Sequence, residues 1–252
     1  MSGHSKWSTI KRKKAKEDAK RGQMFGKLSR SITVAAREGG GNPDLNATLA
    51  AAIEKAKEYN MPQESIERAI KKGTGEISGA KYERMTYEGY GPEGVALIVE
   101  IMTDNRNRAA SDLRNIFSRY HGNLGTPGCV SWMFERKGLI VAQKSEDLDE
   151  DTIMLMAIEA GAEDISPAGA SYEIVTPASD LNRVKEFLLQ QGLRIESAEL
   201  TVLPKNQIRL DSEKALKVLK FVEALEDHDD VQEVYVNFEI PDQVMAQLTW
   251  EG

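Results

Sequence analysis

The side chains best equipped for chemistry are cations, and they are crowded at one end. Lys6, Lys11, Arg12, Lys13, Lys14, Lys16, Lys20, Arg21, Lys27, Arg30 and Arg37 fall in the first 37 residues with only Glu17 and Asp18 for company. That segment is +9, and the other 215 residues, with 22 cations against 38 carboxylates, are −16. Cations at this density gain free energy by displacing counterions from a phosphate backbone, while carboxylates near the same phosphates are repelled. The segment reads as a polyanion-binding arm carried by an acidic body; the competing reading is a solvated lysine-rich face with no ligand.

Other patterns with catalytic or ligand-binding spacing fail on context. Gly89-Tyr90-Gly91-Pro92-Glu93-Gly94 has the letters of a dinucleotide loop. It lies between two strand-like segments, though, so no helix N-terminus follows to hold a pyrophosphate, and a hairpin turn is expected. Asp147, Asp149 and Asp151 imitate the start of a calcium loop, but Thr152 stands in place of the sixth-position glycine and Ile158 in place of the last glutamate. These acids instead favour a helix N-terminus. Glu226, Asp227, His228, Asp229 and Asp230 form an acidic run in a helix-to-strand loop, where a solvated turn is expected. His4, His121 and His228 are far apart, and Cys129 is the single cysteine, so neither a triad, a metal site nor a disulfide is indicated. Gly39-Gly40-Gly41 lacks the Lys-Ser/Thr ending of a phosphate loop and reads as a helix stop. No enzyme activity, cofactor or metal is expected.

The elements that must carry these residues follow from periodicity. Ile10 to Ala19 reads as a lysine-dense helix capped by Ser8 or Thr9 and ended at Gly22. Phe25, Leu28, Ile32, Ala35 and Ala36 then recur at helical spacing, with Lys20, Lys27, Arg30 and Arg37 on the opposite side. A second helix carries Leu45, Leu49, Ala52, Ile53 and Ala56; a third starts near Pro62, buries Ile66, Ala69 and Ile70, and ends at Gly73. From Tyr82 the period becomes that of strands. Tyr82 to Tyr90 and Val95 to Thr103 are strands, the second apolar on both faces and so central. Asn105 to Tyr120 is a helix, and the chain returns to the sheet from Val130 to Val141. Asp149 to Glu159, Leu181 to Gln191 and Ser212 to Glu226 read as helices, and Ser171 to Thr176, Arg194 to Leu203 and Val231 to Ile240 as strands.

The predicted fold is therefore α+β and multidomain: an N-terminal three-helix bundle with its basic arm, then two ferredoxin-like (split β-α-β) α+β domains, the third inserted in the second. The expected bounds are 1–80 for the helical domain, 81–144 plus 205–240 for domain 2, 145–204 for the inserted domain 3, and 241–252 for a tail. No apolar run reaches the ~20 residues that span a bilayer, and the basic N-terminus is not followed by an apolar signal core, so a cytoplasmic protein without a membrane partner is expected.

A family resemblance enters through particular residues. Gly3-His4-Ser5-Lys6-Trp7, Asp18-Ala19-Lys20-Arg21-Gly22, Asn60-Met61-Pro62, Ile66 to Gly75, Tyr87 to Pro92, Thr103 to Arg108 and Gly122-Asn123-Leu124-Gly125 together resemble the YebC family. The match spans the chain to about Lys137. The resemblance implies the three-domain layout above and a non-enzymatic role in gene expression. Members are described as DNA-binding transcriptional regulators, and mitochondrial relatives as translational activators that work on the ribosome. The implied partners are DNA and/or ribosomal or transfer RNA, with ribosomal proteins or transcription machinery beside them.

The candidate contacts are Lys6, Lys11, Arg12, Lys13, Lys14, Lys16, Lys20, Arg21, Lys27 and Arg30 for phosphates, with Trp7 either stacking on a base or anchoring the arm. Arg106 and Arg108, at a strand-to-helix junction, form a second candidate pair, with local capping and surface charge as the alternative. No helix groups Arg, Asn or Gln as a base-reading helix does, which leans toward structured RNA over a promoter. A protein-interaction scaffold without nucleic-acid contact is the alternative function.

Overall fold

The computed structural model describes residues 18–144 and 149–239, with side chains from Arg21 onward. The helical part consists of α1 (Asp18–Gly39), a 3-10 turn (Pro43–Leu45), α2 (Ala47–Glu58) and α3 (Gln63–Thr74). Leu28, Ile32, Ala35 and Ala36 line one stripe of α1 and pack on Leu49, Ala56, Met61, Ile66 and Ala69, as a 3.6-residue period requires. Asn46 fixes the corner: its carboxamide oxygen accepts from the Leu49 amide at 3.1 Å, and its nitrogen donates to the carbonyls of Ala35 and Gly40 at 2.8 and 2.9 Å.

Three expectations for this part are corrected. Gly22 does not end a helix, since α1 runs unbroken through Gly22 and Gly26. A helical glycine costs only about 1 kcal/mol, which the packed stripe downstream offsets. Gly73 likewise lies inside α3, whose stop is Gly75 in the left-handed region at φ 83°. Gly73 is where α3 meets α1: a Cβ there would sit 2.5 Å from the Thr33 carbonyl oxygen. Leu45 belongs to the 3-10 turn and is 84% exposed, outside the core.

The first sheet has the order β3-β1-β2-β9 and is antiparallel, from β1 (Glu83–Tyr90), β2 (Ala96–Thr103), β3 (Asn123–Leu124) and β9 (Val231–Val236). β2 and β3 are joined by α4 (Arg106–Arg119) and flank β1, a split β-α-β unit. β2 is central and buried, as its two apolar faces require. Leu97, Val99 and Ile101 face α4 and the helix α7 (Ser212–Glu226), where Phe117 and Phe221 meet edge-on at 5.1 Å. Ala96 and Ile98 face Val130, Phe134 and Tyr235 on the other side.

The second sheet comprises β4 (Phe134–Gln143), β5 (Asp164–Ala168), β6 (Ser171–Pro177) and β7 (Ile195–Pro204), in the order β5-β6-β4-β7, with α5 (Glu150–Ala160) and α6 (Leu181–Gln190) over one face. Strand, helix, strand, strand, helix, strand in that spatial order is the complete ferredoxin-like arrangement. The chain leaves the first sheet after β3 and returns to it at β9, so the second sandwich is inserted in the first. The expected edge of the insertion moves: β4 lies in the middle of the second sheet, paired with both β6 and β7, so the junction falls near residues 133 and 134 instead of 144 and 145. The strand expected over Val231 to Ile240 breaks at Asn237, whose side chain accepts from the Ala96 amide; β10 (Phe238–Glu239) then pairs in parallel with β8 (Ile208–Arg209).

Candidate nucleic-acid interface

The arm residues Lys6, Trp7, Lys11, Arg12, Lys13, Lys14 and Lys16 lie outside the described residues, and Lys20 is placed by its backbone only, in the first turn of α1. α1 is thus the element that joins the arm to the body. Arg21 is exposed on it.

Further along, α1 leaves Arg37 exposed but does not present Lys27 and Arg30 to solvent as the helical wheel predicts. Lys27 is 7% exposed and its ammonium donates to the Glu226 carbonyl. Gln23, one turn earlier, donates to the Asp227 carbonyl, and Arg30, one turn later, donates to that of Asp229. Three side chains at helical spacing therefore hold carbonyls at the end of α7 and just beyond it, a place where positive charge is favoured. The Arg30 guanidinium also lies 3.7 Å from Asp230 Oδ1 and 5.6 Å from the Tyr82 ring centroid. At the far end of α1, Arg37 donates to the Tyr82 carbonyl.

The acidic run at the end of α7 is only partly the solvated turn expected from the sequence: Asp227 and Asp229 are exposed, but Asp230 is not. Asp230 is 2% exposed. Its Oδ2 accepts from Thr103 Oγ1 and from Arg108 Nη2, both at 2.9 Å. Burial pushes its pKa up, but those hydrogen bonds and the charges of Arg108 and Arg30 outweigh it and hold the carboxyl below its ordinary value. His228 Nδ1 accepts from the Asp230 amide at 3.1 Å, and its Nε2 lies 3.2 Å from Asp112 Oδ2.

The same network decides much about the second candidate pair. Asn105 caps α4 by accepting from the Arg108 amide at 3.0 Å, and Arg108 bridges Asp104 at 3.0 Å and Asp230 at 2.9 Å. Arg106 is 66% exposed, with one ion pair to Glu83 at 3.6 Å. The structure brings Arg30 and Arg108 together on Asp230, and leaves Arg21 and Arg106 on the surface. Arg68 and Lys71, exposed on α3, extend the exposed cations of the helical part; their regular spacing on a short amphipathic helix gave no sign of it.

A second fastening joins the helical part to both sheets. Lys55 of α2 lies 2.8 Å from Glu233 of β9 and 4.0 Å from Glu199 of β7. Glu233 is the main cause that raises the Lys55 pKa above its ordinary value, against burial. Around it is a cavity of about 230 Å³ to which α1, α2, β2, β7 and β9 all contribute. Glu100 faces it, and burial pushes this carboxyl up despite Arg84. Helical platform and sandwiches are therefore fastened at two places.

The dinucleotide-like glycines have a packing explanation. Gly89 to Gly94 spans the turn between β1 and β2, where a Cβ on Gly89 would lie 2.5 Å from the Asn123 carbonyl and one on Gly91 would lie 2.7 Å from the Phe221 ring. Asp149 caps α5, accepting from the Thr152 amide at 2.8 Å. No helix among the described residues is long and apolar enough to cross a membrane.

Comparison with known proteins agrees with this architecture. Residues 5–76 match the family model described as the TACO1/YebC protein N-terminal domain, and residues 82–238 match that of the TACO1/YebC second and third domain. A probable transcriptional regulatory protein of Halothermothrix orenii is 56% identical over 253 residues, covering 100% of each chain. One of Dictyoglomus turgidum is 52% identical, over 99% of this chain and 100% of its own. The crystal structure of a conserved hypothetical protein from Aquifex aeolicus, 50% identical, superposes with a TM-score of 0.78 over 90% of this chain and 93% of its own. The chain belongs to the TACO1/YebC family.

Proposed function

We propose that the protein is a non-enzymatic regulator of gene expression that binds nucleic acid through its basic arm and the start of α1. The observation that carries this reading is the charge division, +9 over residues 1–37 against −16 on the rest, which matches a phosphate-gripping segment on a body that repels phosphate. The fastening of α1 supports it: Lys27 and Arg30 at its middle are spent on carbonyls at and just beyond the end of α7 and on Asp230, so the phosphate contacts fall to the arm. The relatives' name, probable transcriptional regulatory protein, supports a place in gene expression.

Structured RNA of the translation machinery is the favoured target, because α4, which groups Arg and Asn at its N-terminus, spends Asn105 on its own cap and Arg108 on Asp104 and Asp230. The relatives' name favours the second reading, a DNA-binding transcriptional regulator with the same arm on duplex phosphates. In either case the acidic sandwiches meet protein partners, ribosomal proteins in the first and transcription machinery in the second. The test is co-sedimentation of the full chain with ribosomes at physiological salt under competition. Excess random DNA should not displace it. A promoter fragment that displaces it ~10³-fold better than random duplex would establish the transcriptional reading instead.

A further inference from the structure

One helix of the second sandwich is apolar on both of its sides. α5 turns Ile153, Ala157 and Ala160 into the core beneath it, and all three are buried. On the outward side Met154, Leu155 and Ile158 are 39%, 68% and 63% exposed. At positions i, i+1 and i+4 they share one stripe of the helix. A surface helix ordinarily carries polar residues there. Three large apolar side chains grouped on one face leave in water an area that a partner would cover with gain.

The acids of the same helix narrow what that partner is. Asp151 stands one turn before Met154 and Leu155, and Glu159 one turn after Leu155 and next to Ile158, so the stripe has a carboxylate at each end. Both residues are exposed, and neither carboxylate has a hydrogen bond or ion pair among the described residues. Asp151, in the first turn, is favoured by the helix dipole; Glu159, in the last turn, lies where negative charge is disfavoured. α5 itself holds no Lys or Arg. Cations at its two ends are already engaged. Arg183 donates to the Ala160 carbonyl and to Asp180, both at 2.8 Å. Lys144 lies 5.2 Å from the ring centroid of Tyr172, whose hydroxyl is pushed up by burial and then by Glu150 and Asp149.

Two features are therefore unfavourable in the free protein, apolar surface in water and an unpaired acid at a helix C-terminus, and one kind of partner relieves both. We propose that the outward face of α5 docks a cationic amphipathic helix of a partner protein, with its apolar stripe on Met154, Leu155 and Ile158 and its Lys or Arg residues toward Asp151 and Glu159. The pliable Met154 side chain lets the face fit partners of differing shape. A second copy of the chain is a poorer occupant, because a symmetric pair of α5 faces sets Asp151 and Glu159 against the same carboxylates of the other copy in either direction. Nucleic acid is repelled by those carboxylates. The proposal rests on the reading that the acidic sandwiches meet protein, and it gives that contact a place.

The full chain labelled with ¹³C-methyl methionine tests it, as the sequence has nine methionines and Met154→Leu assigns the relevant resonance. The probe is a synthetic helix of about fourteen residues, four turns, with leucine on one stripe and lysine elsewhere; its counterpart has glutamate for lysine. The lysine peptide should shift the Met154 methyl saturably and leave that of Met61, buried in the helical part, unmoved. The glutamate peptide should do neither. The double variant Leu155→Ser, Ile158→Ser should weaken the lysine peptide by about 10-fold or more without lowering the melting temperature, because both side chains are exposed. Asp151→Asn with Glu159→Gln should weaken it too and flatten its salt dependence. If both peptides bind alike, or the serine variant keeps full affinity, the face is wrong. If the lysine peptide binds while Met154 stays silent, the face is wrong and the protein-partner reading stands; if it does not bind at all, both fall, and RNA binding by the arm is unaffected. A dimer in sedimentation that the serine variant dissolves would make a second copy the occupant and overturn the assignment.

Discussion

Replacing Asp230 by asparagine should loosen the helical part from the first sandwich, and the structure sets the size of the effect. The carboxylate is 4% exposed and faces Arg108 at 2.9 Å and Arg30 at 3.7 Å. Breaking a fully buried ion pair costs about 3–5 kcal/mol, chiefly because the remaining charge is left unpaired. Here the Arg108 side chain is 48% exposed, so water replaces part of what is lost, and the amide still accepts one hydrogen bond; about 2 kcal/mol is expected. For a chain of this size that lowers the melting temperature by about 4–8 °C. Because Asp230 has a folded pKa below its unfolded value of about 3.9, its stabilisation is present above that value and disappears as pH falls through the lower folded one. Thermal melts of Asp230→Asn and wild type should therefore differ at pH 7 and converge in acid. Equal melting temperatures at pH 7, or an undiminished difference in acid, would refute the reasoning.

Other positions give independent tests. Gly73→Ala places a methyl 2.5 Å from the Thr33 carbonyl oxygen and 2.7 Å from the Ala36 Cβ, so overpacking should outweigh the gain in helix propensity and cost about 1–2 kcal/mol net in denaturant titration. Gly22→Ala, with nothing within 4 Å, should stabilise by about 0.5–1 kcal/mol; a loss there would mean that α1 does not run through Gly22. Glu100 is held up by burial first and then by Glu233, so its charged form opposes folding as pH rises through its folded pKa. Glu100→Gln should melt higher than wild type at pH 7 and lose that advantage in acid.

Local signals carried much of this architecture into the letters. β2 alternates two apolar sets because both of its faces are covered, so an apolar pattern on both faces, broken only at Glu100, identified a central strand. That helices begin beside Asn105 and Asp149 was readable because a cap needs only three residues of context, although the letters did not single out these two from the acids next to them. Features set by distant contacts were not. β4 has an ordinary strand pattern, and nothing in it states that its partners are β6 and β7. Gly22 and Gly73 read as stops because glycine usually is one, yet Gly73 marks a close approach of two helices. Lys27 and Arg30 fall on a polar face of the helical wheel, and what removes them from solvent is a turn about 200 residues away. That turn, Glu226 to Asp230, reads as solvated acid because neither its backbone carbonyls, which accept from Gln23, Lys27 and Arg30, nor the burial of Asp230 leaves a mark in the sequence.

The central claim is that the arm holds nucleic acid by its charges. Anisotropy of a labelled RNA hairpin, titrated with the full chain at salt concentrations from about 50 to 200 mM, measures this directly. If ~5–8 phosphates are neutralised, log affinity should fall with log salt at a slope of about −4 to −7. The combined variant Lys11→Glu, Lys13→Glu, Lys14→Glu, Lys20→Glu should abolish binding while its circular dichroism stays native. A flat salt response, or unchanged affinity in that natively folded variant, would contradict the account.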